Sequence, residues 1–248
     1  SDRLLACERF LYTHEGEPLS TPAAAVGMQG GEAYLEIGAG KGRFAAAMAQ
    51  RHPNAAYFAM ERVTDCVVLA AELAASGEYG ALPNLHYMIE TADELMHIFA
   101  PGSLDAIFLN FSDPWPKKGY AKRRLTHRRY LAMYMNLLRD GGSLNFKTDN
   151  VGLFDFSLEE IEAMGLTPDV VTRDLHSSEW NEGNIMTEYE KNFSEQGMKI
   201  NMLRLTKPEG FNPEVAPEFL TKNVYLRQGE NCRLCTLHSL HHTDILPH

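Results

Sequence analysis

Cysteine and long apolar runs are both scarce in this sequence, and each shortage excludes a class of protein. Four cysteines among 248 residues are too few and too scattered for a disulfide scaffold, which favours a reducing compartment. No stretch approaches the roughly 20 consecutive apolar residues that span a bilayer. The first residues lack the basic and apolar segments of a signal peptide. We therefore expect a cytoplasmic protein without a membrane span.

Basic residues are scarce too, and the formal net charge of −10 at pH 7 argues against general nucleic-acid binding. Seven of the 23 Lys and Arg nevertheless lie in residues 117–129, which contain no acid, whereas all 33 Asp and Glu lie elsewhere. We name residues 117–129 the basic segment. Such a run is usually a solvated helix face, but a single basic patch on an acidic body also indicates a protein that binds a polyanion at one place.

Between residues 33 and 206, short apolar runs alternate with helix-like segments, as in a parallel sheet with crossover helices. The predicted strands are 33–38, 57–61, 85–90, 104–111, 143–147, 169–174 and 199–206. The predicted helices are 42–51, 63–76, 92–99, 120–138 and 152–164. The pattern predicts an α/β domain with seven strands.

A glycine-rich turn follows the first predicted strand, with Glu36 just before Gly38, Gly40 and Gly42. Glycines at such a turn let the backbone approach a ligand outside the carboxyl ends of the strands. Dinucleotide enzymes share this arrangement, but a carboxylate at Glu36 would repel a pyrophosphate and attract the cationic methionine end of S-adenosylmethionine. Glu61 ends the next strand and could accept hydrogen bonds from a ribose. A tight turn without a ligand is the alternative.

Thr91 and Ala92 follow the third predicted strand, where an adenine would be held. An ordinary helix N-cap by Thr91 explains the same residues equally well.

A stiff loop follows the fourth predicted strand, with the sequence Phe-Ser-Asp-Pro-Trp-Pro-Lys-Lys at residues 111–118. Its two prolines and tryptophan neither continue a strand nor begin an unbroken helix. We name residues 111–118 the Asp113 loop and expect Asp113 to lie beside the methyl donor, although it could instead cap the next helix. Because the loop runs into the basic segment, contact with nucleic-acid phosphates is the favoured role of that segment. The candidate phosphate contacts are Lys117, Lys122, Arg123 and Arg124.

Two further polar clusters lie near predicted strand ends: Asp149 after the fifth strand, and residues 187–190 before the last. Thr187, Tyr189 and Glu190 could bind or stack on a base. Taken alone, the second cluster is more typical of a capped helix start.

The strings FSDPWPKK, KRRL, FKTDN and TEYEKNF, with EIGAGKG upstream, resemble those of bacterial tRNA (guanine-N7)-methyltransferases in the same order over about residues 33–206. The resemblance implies a Rossmann-like, seven-stranded class I methyltransferase sheet, mostly parallel with an antiparallel last strand and helices on both faces. Residues 33–207 would form the catalytic domain, 1–32 a helical lead-in and 208–248 an extension of unknown role. S-adenosylmethionine would be the cofactor, and a variable-loop guanosine of tRNA, conventionally position 46, the substrate.

The resemblance also implies roles for individual residues. Asp113 would be the catalytic residue. Cofactor contacts are implied at Glu36, Glu61, Thr91 and Asp113, and substrate contacts at Lys117, Asp149 and residues 187–190. Two positions depart from the family pattern: Thr91 replaces a usual Asp or Asn, which leaves adenine recognition to the backbone or to Asp93, and Gly119-Tyr120 replaces a usual basic pair.

The extension contains two cysteines and two histidines of the types that bind zinc, namely Cys232, Cys235, His238 and His241. They lie closer together than the ligand pairs of usual zinc sites, so we expect a reduced CxxC beside scattered histidines and no obligate metal. The sequence leaves open a monomer or a homodimer.

Three other functions remain as alternatives. A methyltransferase for another RNA, a protein or a small molecule would leave the basic segment unexplained. An NAD-dependent oxidoreductase is disfavoured by Glu36, and a non-catalytic RNA-binding module by the intact Asp113 and glycines.

Overall fold

The computed structural model describes residue 3 and residues 7–221, which contain a seven-stranded sheet. Its order is β3-β2-β1-β4-β5-β7-β6, and β7 runs antiparallel to both β5 and β6 while the other neighbours are parallel. The strands are β1 Ala33–Ile37, β2 Ala56–Met60, β3 Leu85–Met88, β4 Leu104–Asn110, β5 Leu138–Thr148, β6 Val170–Thr172 and β7 Asn201–Thr206. The predicted fold class is confirmed, including its antiparallel last strand.

Seven α-helices accompany the sheet in the described part of the chain: α1 Pro22–Ala25, α2 Arg43–Arg51, α3 Thr64–Ala75, α4 Leu95–Ile98, α5 Arg128–Leu137, α6 Val151–Ala163 and α7 Glu188–Glu195. They form two apolar cores, one on each face of the sheet. Side chains of α2 and α3 pack on one face, and those of α4, α5 and α6 on the other. Successive strand residues supply opposite cores, as Phe58 and Tyr57 do, because side chains alternate across a strand.

The predicted helix 120–138 is wrong over its first part. A 3-10 turn covers Lys118–Arg123, and the backbone then becomes extended at Arg124 and His127 before α5 begins. The His127 side chain caps α5 by accepting from the N–H of Arg129. Helix-forming residue types in the basic segment therefore do not make one continuous helical face.

The lead-in is less helical than predicted. Between residues 7 and 32 it contains a 3-10 turn at Glu8–Phe10 and the four-residue α1. Extended residues between them attach to the domain, since the N–H of Tyr12 donates to the carbonyl of Tyr87 at 2.8 Å.

The start of the extension also packs on the domain. Phe219 is fully buried and its ring lies 5.1 Å from that of Tyr130 in α5. In the part of the chain that the structure covers, no helix has the length and apolar character to cross a membrane.

Candidate active site

The glycine-rich turn leaves β1 with three residues in left-handed conformations. The φ angles of Gly38, Gly40 and Gly42 are 83°, 54° and 77°, a region that side chains disfavour. Gly42 is also limited by space, because an added Cβ would lie 2.4 Å from the hydroxyl of Tyr87 and 2.6 Å from the Cβ of Ala70. The turn therefore requires glycine for conformation at all three positions, and for close packing at the third.

Glu36 lies beneath this turn with only 2% of its surface exposed. The amide of Asn110 donates to one carboxylate oxygen at 3.0 Å, and the Tyr57 hydroxyl to the other at 3.5 Å. Burial raises the pKa of Glu36 to about 7, although these two donors and the charge of Lys147 act against it. An approaching cation favours the ionised form of such a buried carboxylate, which suits the amino end of a methionine group.

Glu61 lies across the same turn. Its carboxylate accepts from the N–H of Gly40 at 3.1 Å and from the N–H of Val63 at 2.9 Å. The structure thus brings Glu36, the three glycines and Glu61 together at the carboxyl end of β1 and β2, where α/β sheets bind ligands.

Thr91 and Ala92 follow β3 at the same edge. Thr91 is exposed and occupies the N-cap position of the 3-10 turn that follows, but its side chain makes no capping hydrogen bond. Ala92 is buried at the start of a 3-10 turn. The Asp93 carboxylate accepts a 2.7 Å hydrogen bond from Tyr130, so this group is already engaged within the protein.

The Asp113 loop leaves the sheet beside the glycine turn, because Leu109 of β4 pairs with Ile37 of β1. Phe111, at the start of the loop, and Trp115, in its middle, have φ angles of 54° and 39°, each at a cost of about 1–2 kcal/mol for a residue with a side chain. Asp113 is exposed. Among the described residues it has no hydrogen bond or ion pair, and the cap position of the next 3-10 turn belongs to Lys117.

The basic segment divides into two groups. Lys117, Lys118, Lys122 and Arg123 are exposed, and the Arg123 guanidinium lies over the rings of Trp115 and Tyr120. The other three side chains bind the protein itself. Arg124 donates to carbonyls of the Asp113 loop, Arg128 to Glu160, and Arg129 to Glu218. Arg128 is exposed too but is paired with Glu160, so four of the seven cations are both exposed and without an ion pair among the described residues.

The polar cluster at residues 187–190 is a helix start, as the capping alternative predicts. The hydroxyl of Thr187 accepts from the N–H of Glu190, and the Glu190 carboxylate accepts from the N–H of Thr187. Glu190 is fully buried. Three side chains also donate to it, from Lys147 at 2.5 Å, Asn184 at 2.7 Å and His176 at 2.9 Å. Its carboxylate is used inside the protein rather than turned toward a substrate.

Tyr189, in the same helix, is 65% exposed and stacks on Phe111 at the base of the Asp113 loop, with 6.4 Å between ring centroids. Asp149, just after β5, is partly buried and makes no hydrogen bond to the described residues. Two free carboxylates and an exposed aromatic ring thus lie around neighbouring strand ends.

Sequence reasoning missed two contributors, Asn110 and the ion pair of Lys147 with Glu190. The sequence signal for them was weak, since it consists only of polar residues at the ends of the apolar strands β4 and β5. In the structure these strands pair with Asn110 opposite Lys147. In the described ranges no group of three or more His, Cys, Asp or Glu could hold a metal ion. The zinc candidates of the extension lie outside these residues.

The strand order and the position of the glycine turn define a class I methyltransferase fold. Solved structures agree: the 16S rRNA methyltransferase KamB superposes with a TM-score of 0.59 at 14% identity, covering 81% of this chain and 99% of that one. An antibiotic-related methyltransferase superposes with a TM-score of 0.55 at 17% identity, covering 78% of this chain and 96% of that one. The sequence model of a family described as "Putative methyltransferase" matches residues 31–203.

A similar protein indicates which family of methyltransferases the chain belongs to. The tRNA (guanine-N(7)-)-methyltransferase of Halalkalibacterium halodurans is 44% identical over 167 residues, which are 67% of this chain and 74% of the relative. The chain belongs to the tRNA (guanine-N7)-methyltransferase family.

Proposed function

We propose that the protein transfers a methyl group from S-adenosylmethionine to N7 of a guanosine in tRNA, with variable-loop position 46 as the target. The observation that carries this proposal is the Asp113 loop, which leaves β4 beside the glycine turn and continues into exposed cations. Family membership supports the activity, and the 44% identical relative bears its name. We place the reaction in the cytoplasm, by a monomer or a homodimer.

The residues at the glycine turn fit S-adenosylmethionine. Buried Glu36 would hold the cationic methionine end, and the left-handed glycines, which have no side chain, would let the backbone lie close to the ligand. Glu61 would exchange its bonds to backbone N–H groups for ribose hydroxyls, and Thr91-Ala92 would border the adenine. The bound cofactor supplies an electrophilic methyl group on a cationic sulfur.

Guanine N7 carries an in-plane lone pair and no proton, so no general base is needed. The enzyme has to position the base and stabilise the positive charge that the purine gains. Asp113 and Asp149 have free carboxylates for this task. One of them can accept from N1–H and the 2-amino group, which selects guanine over adenine. We assign the catalytic role to Asp113.

The RNA would be held on both sides of the loop. Lys117, Lys122 and Arg123 are exposed and suit phosphate contacts. The open face of Tyr189 suits a base swung out of the folded tRNA, a step that costs about a few kcal/mol.

The direct test incubates unmodified tRNA with enzyme and cofactor and identifies the product by nucleoside mass spectrometry. We expect 7-methylguanosine at one variable-loop position, and no product with Asp113→Ala although that variant still binds adenosylhomocysteine. Methylation of protein extract rather than tRNA, or of a different atom of the base, would overturn the proposal.

A further inference from the structure

We propose that Arg124 is a positioning residue that holds the Asp113 loop in place, rather than a contact for RNA phosphates; this inference rests on the proposed function. The Arg124 Nε donates to the carbonyl of Pro114 at 3.0 Å and to that of Trp115 at 3.3 Å. Its Nη2 donates to the same Trp115 carbonyl at 3.0 Å. The guanidinium thus binds the carbonyl groups of the two residues that directly follow Asp113.

The loop has little else to hold it. Within the described chain, residues 112–116 make no other hydrogen bond that fixes their backbone, and the buried hydroxyl of Ser112 has no partner. The left-handed conformations of Phe111 and Trp115 are unfavourable for residues with side chains, so the surrounding structure has to impose them. Arg124 supplies that constraint at the Trp115 end.

Arg124 is itself fixed from the opposite side. Its Cζ lies 4.3 Å from the ring centroid of Phe156, a residue of α6. Helix α6 begins at Val151, directly after Asp149 and the capping residue Asn150. One guanidinium therefore connects the loop that carries Asp113 to the helix that follows Asp149. In this way it would fix the position of the Asp113 carboxylate relative to that of Asp149.

This geometry distinguishes Arg124 from its neighbours. Lys122 and Arg123 are exposed, whereas the hydrogen-bonding capacity of Arg124 is directed at carbonyl oxygens. A phosphate contact contributes counterion release, so its loss lowers the slope of log affinity against log salt by about 1. A positioning residue contributes to turnover instead, since a small misplacement of a reacting group can cost about 100-fold in rate.

The test compares Arg124→Ala and Arg124→Lys with Lys122→Ala as the phosphate-contact variant. We expect Arg124→Ala to lower kcat by about 100-fold while the KM for tRNA and the salt slope of tRNA binding stay as in the wild type. Lysine lacks the planar guanidinium that binds both carbonyls, so Arg124→Lys should have a kcat close to that of Arg124→Ala. Millimolar guanidinium should restore part of kcat to Arg124→Ala but none to Asp113→Ala. Lys122→Ala should weaken tRNA binding and reduce the salt slope.

A readout that needs no substrate separates this inference from the proposed function. The chain has two tryptophans, so in a Trp180→Phe background the emission reports Trp115 alone. Arg124→Ala should shift that emission, while bound adenosylhomocysteine and an unchanged melting temperature show an intact domain. Unchanged emission of Arg124→Ala would overturn the positioning role. So would a variant that keeps the wild-type kcat but binds tRNA more weakly and with a smaller slope of log affinity against log salt. Absence of 7-methylguanosine with the wild type would overturn the proposed function instead.

Discussion

Replacing Glu36 by Gln should remove the pH dependence of cofactor binding below neutrality. Burial raises the pKa of Glu36 to about 7, so about half of the carboxylate is ionised at pH 7 and about 3% at pH 5.5. Binding of a cationic ligand selects the ionised form, so affinity is lost as the pH falls through the pKa. The α-amino group of the ligand titrates near pH 8 and stays charged throughout this range.

The expected result is a dissociation constant for S-adenosylmethionine that rises roughly 15-fold from pH 7 to pH 5.5, the ratio of the two ionised fractions. Calorimetry in two buffers of different ionisation enthalpy should show that a fraction of a proton is released on binding at pH 7. Glu36→Gln should bind weakly and equally at both pH values. A wild-type affinity that stays constant over this range would refute the assignment of Glu36 to the cationic end.

Three further predictions concern the structure around the site. Lys147→Met leaves the buried carboxylate of Glu190 without its cation and should lower the free energy of unfolding by about 3–5 kcal/mol; a loss below 1 kcal/mol in urea denaturation would contradict the role of this pair. Gly42→Ala places a Cβ against Tyr87 and should abolish adenosylhomocysteine binding in thermal-shift assays, so a normal shift would count against the close fit. Tyr189→Ala should raise the KM for tRNA about tenfold, whereas Tyr189→Phe should keep the wild-type value; equal effects of the two changes would exclude stacking.

The sheet could be predicted because its signal is local. Apolar runs bounded by glycine and proline mark each strand. For six of the seven strands, both the first and the last residue lie within two positions of the prediction. The exception is β5, which starts at Leu138 rather than 143. Its first residues include Gly141 and Gly142, which are typical of a turn and concealed the strand.

The side-chain partners inside the site could not be predicted, because they are distant in sequence. Lys147 and Glu190 are separated by 43 positions, and no pattern relates them. The basic segment illustrates the same limit. Its residues favour a helix, but the backbone is extended at Arg124, whose side chain donates to carbonyls of the Asp113 loop that are distant from any local helix pattern. By contrast, the capping box at Thr187 has a local signature, with glutamate three residues later.

The packing of Phe219 has a consequence for the smallest fragment that could work as an enzyme. Phe219 lies on Tyr130, whose hydroxyl donates to Asp93, next to the residues assigned to the adenine. A protein cut at the end of β7 would keep all seven strands of the described sheet but lose the packing of Phe219 behind the residues assigned to the adenine. Expression of a truncated chain should therefore retain residues up to at least 219, well past residue 203 where the family match stops.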